Sequence, residues 1–121
     1  MAKILVIDDD TSLLQLIKNA LENDHNITTY TGLSNVSVRD INTHDLLILD
    51  VMMPELDGFT FLKEKRREID IPVLFLTAKN FEQDLVEGFS VGADDYMIKP
   101  FSIKELRYRI MAHLRRENRT K

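Results

Sequence analysis

No cysteine and no tryptophan occur among the 121 residues, and there are only four glycines and three prolines. Without thiols the chain can form no disulfide, no thiolate zinc site and no cysteine nucleophile, a composition compatible with a reducing cytoplasm. Long apolar runs are missing as well. Stretches such as Ile4-Leu5-Val6-Ile7 and Leu46-Leu47-Ile48-Leu49 are four residues long, whereas a membrane-spanning helix needs about twenty. Met1-Ala2-Lys3 passes directly into the first of these stretches and then into three aspartates, so no secretory leader is expected. There is no excess of positive charge: 16 basic against 20 acidic residues give −4, which argues against this segment gripping DNA by itself. The histidines His25, His44 and His113 are scattered singly and are expected at the surface rather than as ligands. A hydrophobic fraction of 44% with 30% charged residues excludes a disordered chain. The expectation is one soluble, cytoplasmic, mildly acidic domain with no membrane contact.

What is present is alternation. Five short apolar or β-rich runs are separated by amphipathic stretches, the pattern of a parallel sheet covered on both faces. Residues 4–7 form the first run. Leu13, Leu14, Leu16, Ile17, Ala20 and Leu21 then follow helical spacing. Residues 27–31 are β-branched and half polar, as an edge strand would be. A second helix is expected over 34–41, a buried strand over 46–49 and a turn over 54–58. The third helix spans 59–68, with Lys63, Lys65, Arg66 and Arg67 placed towards its end, where cations suit the helix dipole. Pro72 precedes a strand over 73–76. A fourth helix over 80–91 is closed by Gly92, and a last strand spans 96–98. Ser102-Ile103-Lys104-Glu105 reads as a capping box opening a final helix with Leu106, Ile110 and Leu114 on its apolar face. The organisation is α/β, of the (βα)5 kind.

In such a sheet, ligands bind beyond the carboxyl ends of the strands, where strand order reverses. Just after the first run come Asp8, Asp9 and Asp10; Asp50 follows the third, Thr77 the fourth and Lys99 the fifth. Each has an ordinary explanation. Asp10 suits a helix N-cap, Asp50 a turn, Thr77 a loop hydroxyl that satisfies backbone groups, and Lys99 a solvated surface. Their convergence on one rim is what points to chemistry. Magnesium prefers oxygen ligands and uses one or two carboxylates plus phosphate oxygens. A carboxylate can act as a nucleophile of the aspartyl-phosphate type, and an ammonium and a hydroxyl can take the charge that spreads over phosphoryl oxygens.

At this point four motifs can be set side by side. Ile4-Leu5-Val6-Ile7-Asp8-Asp9-Asp10, Leu49-Asp50-Val51-Met52-Met53-Pro54-Glu55-Leu56-Asp57-Gly58, Leu76-Thr77-Ala78-Lys79 and Gly92-Ala93-Asp94-Asp95-Tyr96-Met97-Ile98-Lys99-Pro100-Phe101 resemble those of response-regulator receiver domains. The last looks most like the OmpR/PhoB-like transcriptional regulators of two-component systems. The resemblance implies a doubly wound, parallel five-stranded sheet in the order 2-1-3-4-5, the flavodoxin-like receiver fold. It implies that Asp50 accepts phosphate from a sensor histidine kinase, and that Mg²⁺ is held by Asp9, Asp50 and the main-chain carbonyl of Met52, with Asp8 acting largely through water. Thr77 and Lys99 would serve the transfer, and Thr77 with Tyr96 would form the switch pair. It further implies a cis Lys99–Pro100 bond. The receiver domain would occupy residues 1–115, with 116–121 beginning a linker to a C-terminal winged-helix effector through which DNA would be bound.

The resemblance also implies a homodimer, formed on phosphorylation through the fourth helix, fifth strand and fifth helix, with Asp95 and Arg109 as a charge bridge between copies. Here the sequence departs from the pattern: Leu85 stands where a basic residue is common, so Glu105 loses its usual partner and is placed to pair with Arg109 at i, i+4 in its own helix. Glu87 and Ser90 are also atypical. The enzymatic rival is a phosphatase of the haloacid-dehalogenase type, in which Asp8 would be the nucleophile and Asp10 the acid/base. It leaves Asp50 without a role. A receiver-like scaffold that binds partners without phosphorylation is a third possibility, disfavoured because every expected site residue is present.

Overall fold

The computed structural model describes residues 1–54, 57–78 and 90–120. Its five strands are β1 (Ala2–Ile7), β2 (His25–Tyr30), β3 (Leu46–Asp50), β4 (Val73–Thr77) and β5 (Asp95–Ile98). All four pairings are parallel, and the order is β2-β1-β3-β4-β5. Helices α1 (Thr11–Leu21), α2 (Val38–Asn42) and α3 (Gly58–Lys65) follow the first three strands, and a C-terminal helix (Ile103–Thr120) follows the fifth. The expected fourth helix lies largely outside the described residues, as do Leu85 and Glu87.

Side-chain alternation along the strands divides the core into two layers, because successive residues of a strand face opposite ways. Leu5, Ile7, Leu47, Leu49, Val73 and Phe75 pack on one face against Ile41 of α2 and Phe59 and Leu62 of α3. Ile4, Val6, Leu46, Ile48, Leu74 and Leu76 pack on the other, against α1 and the C-terminal helix. β3 and β4 are buried along their whole length, which is why both read as unbroken apolar runs, whereas β2 alternates as an edge strand does.

Element boundaries shift where local polar groups decide them. The second helix does not begin at 34. Ser37 caps it, its hydroxyl accepting from Asp40 N while Asp40 accepts from Ser37 N, so the helix is confined to Val38–Asn42. The third helix tightens into a 3₁₀ turn at Arg66–Glu68. The last helix continues to Thr120. The Lys99–Pro100 bond is cis, and Gly92 has a φ of 103°.

Gly58 is the residue that lets α3 start against β3. A Cβ there would stand 2.7 Å from the Asp50 carbonyl oxygen and 3.2 Å from Phe75 Cε1. Its own N–H donates to Val51 O at 2.8 Å. Backbone cannot yield as a flexible side chain can, so Gly58→Ala is expected to lower unfolding stability by about 1–3 kcal/mol in a denaturant titration.

Candidate functional site at the carboxyl rim of the sheet

β1 and β3 are neighbours, and from them the chain winds outward in opposite directions to β2 and to β4. The crevice at such a reversal is where open α/β sheets bind ligands. Asp8 and Asp9 follow the last residue of β1, and Asp50 ends β3. One carboxylate oxygen from each of the three lies within 4.8 Å of the others. Asp8 and Asp50 are buried, at 0% and 2% exposure, while Asp9 is exposed to solvent. Lys99, just beyond β5, reaches across the rim, its Nζ donating to Asp8 Oδ2 at 2.8 Å and to Asp50 Oδ1 at 3.4 Å. Asp8 Oδ1 also accepts from Asp10 N at 2.9 Å, which fixes the turn into α1. Thr77, fully buried, ends β4, and its carbonyl accepts from Lys99 N at 2.7 Å.

Crowding of like charges sets the electrostatics. Burial, and then the Asp8 carboxylate beside it, push the Asp50 carboxyl up to about 6, and the Lys99 ammonium and the Met52 N–H only partly offset them. Burial acts the other way on Lys99, but the two carboxylates outweigh it and hold the ammonium above its ordinary value. Among the described residues, one cation thus faces three acids at this corner. Oxygen-only donors in that state match a hard divalent cation such as Mg²⁺, and the main-chain carbonyl of Met52 belongs to the same loop.

The structure therefore brings together Asp8, Asp9, Asp50, Thr77 and Lys99 at one rim. Asp10 is elsewhere employed: its side chain accepts from Leu13 N at 3.1 Å as the α1 cap. Tyr96 is buried, with its ring edge-on to Phe75 at 6.3 Å between centroids.

On the flank of the molecule, Asp95, Glu105 and Arg109 are joined within one chain. Arg109 Nη1 donates to Asp95 Oδ1 at 2.7 Å, and Arg109 Nε and Nη2 donate to Glu105 Oε2 at 3.2 and 3.1 Å. Leu85 lies outside the described residues. One reading from composition is overturned. His113 is not a surface residue: it is 4% exposed, and its Nε2 lies 2.8 Å from Asp95 Oδ2. The signal was available, because position 113 is three residues from Ile110 and seven from Leu106, on the same buried stripe.

This fold and rim are those of a known family. The response regulator receiver domain matches residues 4–111, and the chain belongs to that family. It is 46% identical over 122 residues to the transcriptional regulatory protein SpaR of Bacillus subtilis, covering 100% of this chain and 56% of that one. It is 40% identical to the nisin biosynthesis regulatory protein NisR of Lactococcus lactis, covering 98% of this chain and 53% of the other. Among solved structures, the receiver domain of the Francisella response regulator 1452 superposes with a TM-score of 0.88 at 37% identity, covering 97% of this chain and 99% of that one. This chain is similar to the receiver domains of OmpR/PhoB-class regulators. The chain spans about half the length of the curated relatives it matches. The phosphatase alternative falls with this membership and with the capping role of Asp10.

Proposed function

We propose that this domain takes a phosphoryl group onto Asp50 from a phosphohistidine of a sensor kinase, in a reaction that requires a divalent cation. The observation that carries the reading is the convergence of three carboxylates within 4.8 Å, two of them joined by the Lys99 ammonium, at the strand-order reversal. An Asp50 carboxylate oxygen attacks phosphorus, the bond from phosphorus to the donor nitrogen breaks, and the electron pair leaves with the donor's imidazole. Asp50 is largely ionised above about pH 6, so no general base is needed. Lys99 gives up its contact with Asp50 to pair one phosphoryl oxygen, and the Thr77 hydroxyl takes another. Asp8, Asp9, Asp50 and the Met52 carbonyl would hold Mg²⁺, which supplies positive charge to a phosphoryl oxygen.

Thr77 and Tyr96 then reorient, and the change reaches the face built from the fourth helix, β5 and the C-terminal helix, where two phosphorylated copies pair. Residues 1–115 form the phosphoacceptor unit in this reading, and 116–121 lead towards a DNA-binding domain of the whole protein, in the cytoplasm. That SpaR is a transcriptional regulatory protein and NisR a regulatory protein of nisin biosynthesis supports a transcriptional output. Among the described residues, no helix is long and apolar enough to cross a membrane. The domain is a signalling acceptor that assists its own phosphorylation and dephosphorylation rather than an enzyme with a turnover substrate. Incubation with acetyl phosphate and Mg²⁺ is expected to add one phosphoryl group per chain by intact mass. No gain at any donor concentration contradicts the reading.

A further inference from the structure

The flank of β5 and the C-terminal helix carries a contact that the phosphoacceptor chemistry does not use. Asp95 is engaged on both carboxylate oxygens by its own chain. Oδ1 accepts from Arg109 Nη1 at 2.7 Å and from Tyr96 N at 2.8 Å, while Oδ2 faces His113 Nε2 at 2.8 Å. Burial would raise the Asp95 carboxyl, but hydrogen bonds from His113, the Tyr96 N–H and Arg109 outweigh it and hold it below its ordinary value. The carboxylate is therefore ionised and can only accept, so the His113 Nε2 must carry the proton. Arg109 is committed as well, with three donors spread over Asp95 and Glu105.

The two arms of this clamp are not equivalent. The Arg109 side chain is 36% exposed, and an arginine from outside can replace it like for like. The His113 side chain is 5% exposed, and its contact with Asp95 has no counterpart that a second copy could supply from solvent. We propose that His113 is a cis latch: it holds Asp95 in its own chain and weakens self-association through this face until the contact is given up. The inference rests on the dimer reading above and adds a residue that opposes it. Two-fold symmetry counts every contact given up twice. Releasing the latch in both copies is therefore expected to tighten the dimer about threefold to tenfold.

Sedimentation of beryllofluoride-treated protein with Mg²⁺ tests it, comparing wild type with His113→Leu, which fills the buried space without a donor, and His113→Gln, which keeps one. Tighter dimerisation in the leucine variant, with the glutamine variant near wild type, is the expected result. Should His113→Leu fail to fold, wild-type protein labelled with ¹⁵N still decides: the His113 Nε2 proton signal should be present in the untreated monomer and be lost or strongly shifted in the treated dimer. A dimer equally tight in all three proteins, or a His113 signal unchanged on dimerisation, overturns the latch alone. Absence of any dimer overturns the latch and the dimer reading together.

Discussion

Asparagine in place of Asp50 is expected to abolish phosphorylation and, in the absence of metal, to make the domain more stable. The first effect follows from loss of the nucleophile, since an amide oxygen at the same place does not attack phosphorus. The second follows from the cost of ionising this group where it sits. Its carboxyl is raised from 3.8 to about 6 by burial and by Asp8. The folded state therefore holds a proton that the unfolded chain has lost between those two pH values, so stability falls as pH rises through that window. The penalty is absent below about pH 4 and complete above about pH 6. A shift of this size corresponds to about 3 kcal/mol, a figure that already includes the contact with Lys99. A gain of about 2–3 kcal/mol at pH 7, or roughly 8–15 °C in Tm, should appear in melts run with a chelator. It should shrink towards zero as the pH is lowered to about 4. A variant less stable than wild type at pH 7 would mean that Lys99 relieves the site more fully than the geometry indicates.

Divalent cation has the next largest expected effect, and it acts in the same direction on the wild type. Mg²⁺ relieves the same repulsion, so it should raise the wild-type melting temperature. At ten times its Kd the gain is about 1.4 kcal/mol. Asp9 is the acid of the cluster that solvent reaches, and it can be changed without disturbing the core. Asp9→Asn should weaken the Mg²⁺ stabilisation and slow transfer from acetyl phosphate by about 100-fold, as should chelation of the metal from wild type. A melt of wild-type protein that millimolar Mg²⁺ leaves unmoved would contradict the assigned ligand set.

Much of the fold was legible because burial on both faces leaves no polar alternation to misread. β3 and β4 are apolar through Leu49 and Leu76 and then change character at Asp50 and Thr77, where the rim begins. The juxtaposition of Asp8, Asp9, Asp50 and Lys99 followed from a topological rule applied to four strand ends, not from any single residue. The second helix was misplaced because Leu33 and Val36 pack against the core from a loop, imitating a helical stripe, while the Ser37–Asp40 capping box marked its true start. His113 was missed for a different reason. Counting histidines says nothing of the face each occupies; the spacing from Leu106 and Ile110 marks position 113 as buried, while its partner Asp95, eighteen residues earlier, comes only from the tertiary fold. Asp95 and Arg109, expected as a bridge between two copies, are joined within one chain, a contact that sequence spacing alone does not separate from one across an interface.

The central claim is that Asp50, and no other carboxylate of the rim, carries the phosphoryl group. Wild-type protein treated with acetyl phosphate and Mg²⁺, then reduced with borohydride to convert the acyl phosphate to homoserine, can be mapped residue by residue by tandem mass spectrometry. Homoserine is expected at position 50, with none at positions 8, 9 or 10, and none anywhere when the metal is chelated. Homoserine at position 8 with Asp50 intact would contradict the central claim.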